Sequence, residues 1–144
     1  MLYFAYGSNL DQEQMADRCP DARFGQFAVL PDFRLIYTGY SHLRKGSVAS
    51  VISEASTYVE GVLYEITEQD LFLLDKYEGV PHSYERGLKR VISDDGREME
   101  AWVYFRRDSE FGVPHEEYHD ILHRFYVRYG FNLEHLVGAR GLRL

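Results

Sequence analysis

The chain has 144 residues, of which 45% are hydrophobic and 15% aromatic, a composition typical of a single globular domain over residues 1–144 and not of a disordered segment. Its formal net charge of −7 argues against nucleic acid or an anionic membrane as a partner, because both depend on concentrated Lys and Arg. The lone cysteine, Cys19, and the lack of a basic and then apolar N-terminal pattern predict a cytoplasmic location.

Short apolar runs bounded by turn residues predict a chain rich in strands. The predicted strands are Leu2–Tyr6, Arg23–Leu30, Phe33–Thr38, Ser47–Ile52, Tyr58–Ile66, Glu85–Ser93 and Glu98–Arg106. The predicted helices are Asp11–Asp17, Thr67–Tyr77 and Pro114–Tyr129. This irregular order does not fit a doubly wound sheet. It predicts an α+β fold, with a small mixed β-barrel or strongly curved sheet flanked by helices.

The first predicted strand runs into the turn Tyr6-Gly7-Ser8-Asn9. A strand that ends in Gly-Ser-Asn ahead of a helix leaves backbone N–H groups without strand partners, and such a group of donors suits an anion. Gly7 tolerates positive φ and lets a ligand approach the backbone, while Ser8 and Asn9 add side-chain donors. The alternative is a plain turn in which Asn9 or Asp11 caps the next helix. From the residues alone, the plain turn is favoured.

The predicted helix Thr67–Tyr77 carries a carboxyl group in an unusual place. Leu71, Leu74 and Glu78 stand at i, i+3 and i+7, so they share one face, and Gly79 is a typical helix terminator. Burial in this apolar stripe, and then the helix dipole, would raise the pKa of Glu78 towards the range of a general base. Alternatively, Glu78 turns outward because Gly79 breaks the helical register.

The stretch HEEYH at 115–119 matches the zinc-hydrolase pattern H-E-x-x-H. In that pattern His115 and His119 would bind the metal and Glu116 would activate water. His115 directly follows Pro114 and would lie in the first, exposed turn of its helix, and the motif lacks the Gly and third His of the longer zinc-protease pattern. Glu134 could serve as a third ligand, but nothing in the sequence places it there. A solvated helix face is the favoured interpretation.

Two short motifs carry a family resemblance. The stretch YFAYGSNL, followed well down the chain by LDKYEGV and then Tyr84, resembles the γ-glutamylcyclotransferase-like family. The similarity extends to DFRLIYTG at 32–39, GSVASV at 46–51, GVLYEI at 61–66 and the pair Pro114 and Tyr118. The two motifs in this order and at this spacing are a specific signal, whereas either alone would be weak. The resemblance implies a small mixed barrel flanked by helices.

The resemblance also implies a reaction and the residues that perform it. The free α-amine of a γ-glutamyl compound would attack its own γ-carbonyl, closing a 5-oxoproline ring and releasing an amine or amino acid. The turn Tyr6–Asn9 would hold the glutamyl portion, and Glu78 would be the acid/base. Further binding positions implied by the family are Tyr3, Phe4, Ala5 and Tyr118. Because the nucleophile lies within the substrate, one carboxyl suffices and no cofactor or metal is predicted.

Other hypotheses stay open beside this one. They are the zinc hydrolase described above and a non-catalytic binding module of the same fold. The presence of both the turn and Glu78 argues against a binding module, since a binder needs no carboxyl in an apolar stripe. The leaving group is not specified by the sequence: a glutathione-like peptide, a γ-glutamyl amino acid, an alkylamine or a tailored metabolite would all fit. A homodimer is plausible by analogy only.

Overall fold

The computed structural model describes residues 1–141 and shows a closed five-stranded barrel in the order β1-β3-β2-β4-β5. Its strands are β1 (Leu2–Ala5), β2 (Arg23–Ser41), β3 (Gly46–Glu65), β4 (Glu85–Ser93) and β5 (Glu98–Phe105). Its helices are α1 (Gln12–Arg18), α2 (Glu68–Glu78), α3 (Glu116–Tyr129) and α4 (Leu133–Gly138). Neighbouring strands are antiparallel except β1 and β5, which pair in parallel and close the barrel. The predicted α+β fold with a small mixed barrel is confirmed.

The strands β2 and β3 form one long hairpin, although the sequence predicted four shorter strands. In the structure, β2 joins the predicted strands Arg23–Leu30 and Phe33–Thr38 into one strand. Likewise, β3 joins Ser47–Ile52 and Tyr58–Ile66. The prediction was wrong because Pro31 and Asp32 form a bulge, with a register shift and a φ of 63° at Asp32, and not a turn. The Asp32 carboxylate accepts a hydrogen bond from the backbone N–H of Ser56 at 3.1 Å, which ties the bulge to the opposite strand.

Helix starts follow the capping residues closely. The Asp11 side chain accepts hydrogen bonds from the backbone N–H groups of Glu13 and Gln14, so Asp11 is the cap of α1. Between β1 and α1, residues Ser8–Leu10 form one 3-10 turn that the sequence analysis did not predict. Helix α2 begins with a complete capping box formed by Thr67 and Asp70.

The C-terminal helices differ from the prediction at their boundaries. Helix α3 begins at Glu116 because His115 is its N-cap, so the predicted start at Pro114 was too early. Helix α4 was not predicted. It is one short segment of six residues, too short for a periodic apolar pattern, and the Asn132 side chain caps it through the N–H of Glu134.

The short strand β1 is the centre of the hydrophobic core. Phe4 is fully buried, and the barrel interior and the helices outside it form one continuous apolar cluster. Gly61 in β3 lies tightly against β1: a Cβ at this position would come within 2.4 Å of the Ala5 carbonyl oxygen and 2.6 Å of Phe4 Cζ. The close approach of these two strands therefore depends on the absence of a side chain at Gly61.

We expect Gly61→Ala to lower the free energy of unfolding by about 1–3 kcal/mol, because the new methyl group must displace β1 or the Phe4 ring. The matched control is Gly87→Ala in β4, where a Cβ would make only ordinary contacts, the nearest at 3.6 Å. Urea unfolding of the two variants measures the difference. Equal free energies of unfolding for the two variants would show that β1 or the Phe4 ring can shift without loss of stability.

Candidate active site

One cavity of about 280 Å³ lies where β1, the 3-10 turn, the end of α2 and the β2–β3 hairpin turn meet. Most of the residues singled out from the sequence line it: Tyr3, Phe4, Tyr6, Gly7, Ser8, Asn9, Glu78 and Tyr118. Ala5 is the exception, because its side chain is buried in the barrel core and is not part of the cavity wall. The cavity thus joins two motifs that lie about half the chain apart in sequence.

Glu78 is the last residue of α2 and faces the cavity. Gly79 ends the helix in the left-handed conformation, with φ at 68°, while Leu71 and Leu74 of the same helical face are buried. Glu78 is itself partly buried, so it does not turn outward into open solvent. Within residues 1–141, its carboxylate has neither a hydrogen-bond donor nor a salt-bridge partner.

Desolvation is the main influence on the Glu78 carboxyl. Burial raises the pKa of Glu78 to about 7, although the positive charges of Arg18 and Arg44 act in the opposite direction. Near neutral pH the group therefore exists in both protonation states. A carboxyl of this kind can accept a proton and return it within one catalytic cycle.

Tyrosine side chains surround this carboxyl. Burial raises the pKa of Tyr3, Tyr6 and Tyr84 well above the usual value, and the nearby Glu78 raises it further. The pKa of Tyr118 rises to about 12, again mainly through burial. All four phenols consequently stay protonated in the pH range where Glu78 titrates, and each remains a possible hydrogen-bond donor.

Two of these hydroxyls are positioned to donate to a ligand. The Tyr3 hydroxyl accepts from Asn9 Nδ2 at 2.9 Å, and the Tyr118 hydroxyl accepts from the backbone N–H of Ala49 at 3.1 Å. In the part of the chain that the structure describes, neither hydroxyl has an acceptor for its own proton. The Tyr6 hydroxyl, in contrast, donates to a backbone carbonyl of β5.

Gly7, Ser8 and Asn9 of the turn after β1 line the same cavity. Among residues 1–141, no acceptor is present for the backbone N–H groups of Gly7, Ser8 and Asn9. Gly7 has a φ of −112°, so it does not use the left-handed conformation that glycine tolerates. A Cβ on Gly7 would lie 3.5 Å from the Tyr118 hydroxyl, so its missing side chain mainly keeps the cavity open.

The Asn9 side chain forms several hydrogen bonds within the wall of the cavity. It is 2% exposed, and its Oδ1 accepts from Gln14 Nε2 at 2.9 Å and from Arg18 Nη1 at 3.3 Å. Its amide donates to Tyr3, as described above. The Ser8 hydroxyl accepts from the same Gln14 amide at 2.9 Å. One of the two N–H donors of the Asn9 side chain is used within the wall, and among residues 1–141 the other has no acceptor, like the Ser8 hydroxyl proton; that these side chains add ligand donors stays a prediction.

Three arginines at the cavity were missed by the sequence analysis: Arg18, Arg44 and Arg106. Arg18 lies one helical turn after Gln14 in α1, so the two side chains share a helix face. Both bond to Asn9, and the i, i+4 spacing was the sequence signal for this shared face. Arg44 lies in the hairpin turn between β2 and β3, and no local pattern marked it. Arg106 binds Asp108 through Nε and Nη2, at 3.0 and 2.9 Å.

The HEEYH residues have structural roles in α3. His115 Nδ1 accepts from the backbone N–H of Glu117 at 3.1 Å and caps the helix, and His119 Nδ1 lies 2.9 Å from the Tyr37 hydroxyl. Glu134, considered as a third zinc ligand, is exposed on α4. Over residues 1–141, no three His, Cys, Asp or Glu side chains are grouped so that they could hold a metal ion. The same residues include no helix long and apolar enough to cross a membrane.

Comparison with known proteins agrees with this geometry. A family model described as "Gamma-glutamyl cyclotransferase, AIG2-like" matches residues 3–124. The chain belongs to this family. Human gamma-glutamylcyclotransferase is 31% identical over 126 residues, which are 84% of this chain and 67% of the human protein. The predicted γ-glutamyl cyclotransferase type of enzyme is therefore confirmed at the level of the family.

Two solved structures have the same fold. A structure of a gamma-glutamyl cyclotransferase superimposes with a TM-score of 0.87 at 28% identity, covering 99% of this chain and 88% of that protein. The crystal structure of YkqA from Bacillus subtilis gives a TM-score of 0.78 at 26% identity, covering 98% of this chain and 53% of YkqA. The barrel and helices described above are thus shared with both structures.

Glu78 should make the stability of this cyclotransferase-family protein depend on pH. Its folded pKa of about 7 exceeds the ordinary value of 4.5. Below the lower value both states hold the proton; as the pH rises towards 7 the unfolded state releases its proton first, so folding stability falls and then stays constant. We expect Glu78→Gln to be about 1–3 kcal/mol more stable than wild type near pH 8, since solvent in the cavity screens part of the effect.

Paired thermal melts near pH 4 and near pH 8 measure this difference, which should vanish at the acid end because the wild-type carboxyl is then protonated in both states. Glu100→Gln is the matched control, since Glu100 is an exposed carboxyl on β5. A Glu78→Gln protein that is less stable than wild type near pH 8 would contradict a raised pKa.

Proposed function

We propose that the cavity binds a γ-glutamyl compound and that Glu78 catalyses its cyclisation to 5-oxoproline. The observation that carries this proposal is an unpaired carboxyl with a pKa of about 7, facing unpaired backbone N–H groups across one cavity. Family membership supplies the reaction type, and the geometry supplies a role for each group.

The chemistry needs one proton acceptor that later becomes a donor. Ionised Glu78 accepts a proton from the α-ammonium group of the substrate, and the freed amine attacks the γ-carbonyl carbon to form a five-membered ring. Protonated Glu78 then gives its proton to the leaving nitrogen, and the bond between that nitrogen and the former γ-carbon breaks. The ring nitrogen gives up its second proton to the departing amine, so the products are 5-oxoproline and an ammonium ion, and Glu78 is ionised again. Because nucleophile and electrophile belong to one molecule, holding the bent conformer provides much of the acceleration.

The remaining groups fit the charges of this reaction. The N–H groups of Gly7, Ser8 and Asn9 suit the α-carboxylate of the glutamyl portion. The hydroxyl protons of Tyr3 and Tyr118 suit the negative charge that develops on the γ-carbonyl oxygen. Phe4 and Tyr6 complete the wall of the cavity, with the Tyr6 hydroxyl held by β5.

Several broader expectations from the sequence stay predictions. They are the single domain over 1–144, the cytoplasmic location, the absence of nucleic-acid and membrane partners, and a homodimer. Residues 142–144 lie outside the described part of the chain.

We expect the purified protein to release 5-oxoproline from at least one member of a γ-glutamyl panel comprising peptides, amino acids and alkylamines. Glu78→Gln should lower kcat by about 10²- to 10⁴-fold, because an amide neither accepts nor returns the proton. Glu100→Gln, with its exposed carboxyl far from the reaction chemistry, is the control and should retain activity.

The same assay with and without EDTA separates this mechanism from the zinc hydrolase hypothesis. Activity that is lost on chelation and restored by zinc would favour the HEEYH site instead. Substantial activity in Glu78→Gln would remove Glu78 from the mechanism.

The dependence of kcat/KM on pH should show an acid limb with an apparent pKa near 7, because Glu78 must be ionised to accept the proton. The measurement is 5-oxoproline release at subsaturating substrate over the range from about pH 5 to about pH 9. A rate that stays constant down to about pH 5 would mean that the essential base has an ordinary carboxylate pKa.

A further inference from the structure

Two guanidinium groups in the cavity have only neutral partners. Arg18 contacts Asn9 Oδ1 at 3.3 Å, and Arg44 Nη2 donates to Gln14 Oε1 at 3.0 Å. Each also lies over an aromatic ring, at 4.9 Å from the Tyr77 centroid for Arg18 and at 5.4 Å from the Tyr118 centroid for Arg44. Across residues 1–141, neither forms a salt bridge with an acidic side chain.

The charge of these two arginines exceeds what a γ-glutamyl alkylamine would neutralise. Such a compound carries one α-carboxylate and one α-ammonium group, so its net charge is zero. A γ-glutamyl amino acid carries a second carboxylate and is a net anion. Glu78 supplies at most one negative charge, and it loses that charge when it accepts the proton. Once Glu78 has accepted the proton, the two arginines therefore match a substrate that brings two carboxylates.

The two arginines lie in different parts of the cavity, so each is matched to a different carboxylate of the substrate. Arg18 extends from α1 and is bonded to Asn9, next to the backbone donors proposed for the glutamyl portion. Arg44 belongs to the turn between β2 and β3. Leu43 in the same turn is 80% exposed and Tyr40 at the end of β2 is 60% exposed, so Arg44 lies at the rim of the cavity. With the glutamyl portion held at Gly7–Asn9, as proposed above, the leaving group would lie on the side of the cavity that opens at this rim.

We propose that Arg44 is a specificity-determining residue that binds a carboxylate on the leaving group, which makes γ-glutamyl amino acids or peptides the preferred substrates over γ-glutamyl alkylamines. This inference rests on the proposed cyclotransferase function. The planar guanidinium group offers two parallel N–H donors to a carboxylate, and its contacts with Gln14 and the Tyr118 ring hold it in place before the ligand arrives.

The test compares γ-glutamyl-alanine with γ-glutamyl-alaninamide, which has almost the same shape but no leaving-group charge. We expect wild type to favour the acid by about tenfold or more in kcat/KM, as for a charge-assisted hydrogen bond, and to lose part of this preference in high salt. Arg44→Gln should reduce the ratio of the two kcat/KM values to about one. Arg44→Lys should keep part of the preference, because it retains the charge but loses the fork of donors.

Lys45→Gln is the matched control, since it removes the same charge from the next residue of the same turn, where the side chain is exposed and not part of the cavity wall. Its ratio should equal that of wild type. Equal kcat/KM for the two substrates in wild type, which needs no variant, would overturn the proposal. An unchanged ratio in Arg44→Gln would overturn it as well. Failure of both substrates to yield 5-oxoproline would instead count against the proposed function itself.

Discussion

The pairing of β1 with β3 on one side and with β5 on the other is the constraint on which the site depends. Only four residues long, β1 closes the barrel, and Phe4 and the close contact at Gly61 fix its position. The turn that begins at Gly7 follows directly after this strand, so the barrel holds the start of the turn in place. Donors that must stay aligned without a ligand are best supported by regular structure of this kind.

The second half of the site depends on how α2 ends. A capping box fixes the start of the helix, and Gly79 fixes its end, so Glu78 has little freedom to move along the axis. Leu71 and Leu74 hold the helix against the core, which brings the carboxyl into a poorly solvated cavity. The fold therefore tolerates an unfavourable ionisation at one residue because favourable apolar contacts on the same helical face compensate for it.

Local signals in the sequence were sufficient for features decided within a few residues. The helix terminator at Gly79 and the apolar stripe that ends in Glu78 are of this kind. The continuity of β2 was not predictable in this way, since it depends on a hydrogen bond between Asp32 and Ser56, 24 residues apart. Propensity alone therefore suggested a turn where the tertiary contact imposes a bulge.

The polar contacts that line the cavity were the hardest feature to predict from the sequence, because they too join residues that lie far apart in the chain. The hydrogen bond between Arg44 and Gln14 spans 30 residues, and the one between Tyr118 and Ala49 spans 69. Asn9 was interpreted as a ligand donor because its type suits that role, and the structure adds that one of its two amide N–H groups is bonded to Tyr3 within the wall. Hydrogen-bonding capacity is visible in a sequence, whereas the choice of partner is made by the fold.

The β2–β3 hairpin turn has a consequence for how members of such a family diverge. Residues 42–45 connect the free end of a long antiparallel ladder, so a longer or shorter turn changes neither the strand register nor the helix that carries Glu78. Surface turns tolerate insertions at small cost in stability. The rim of the cavity can therefore change in length and sequence while the strands and the helix that form its floor keep their positions.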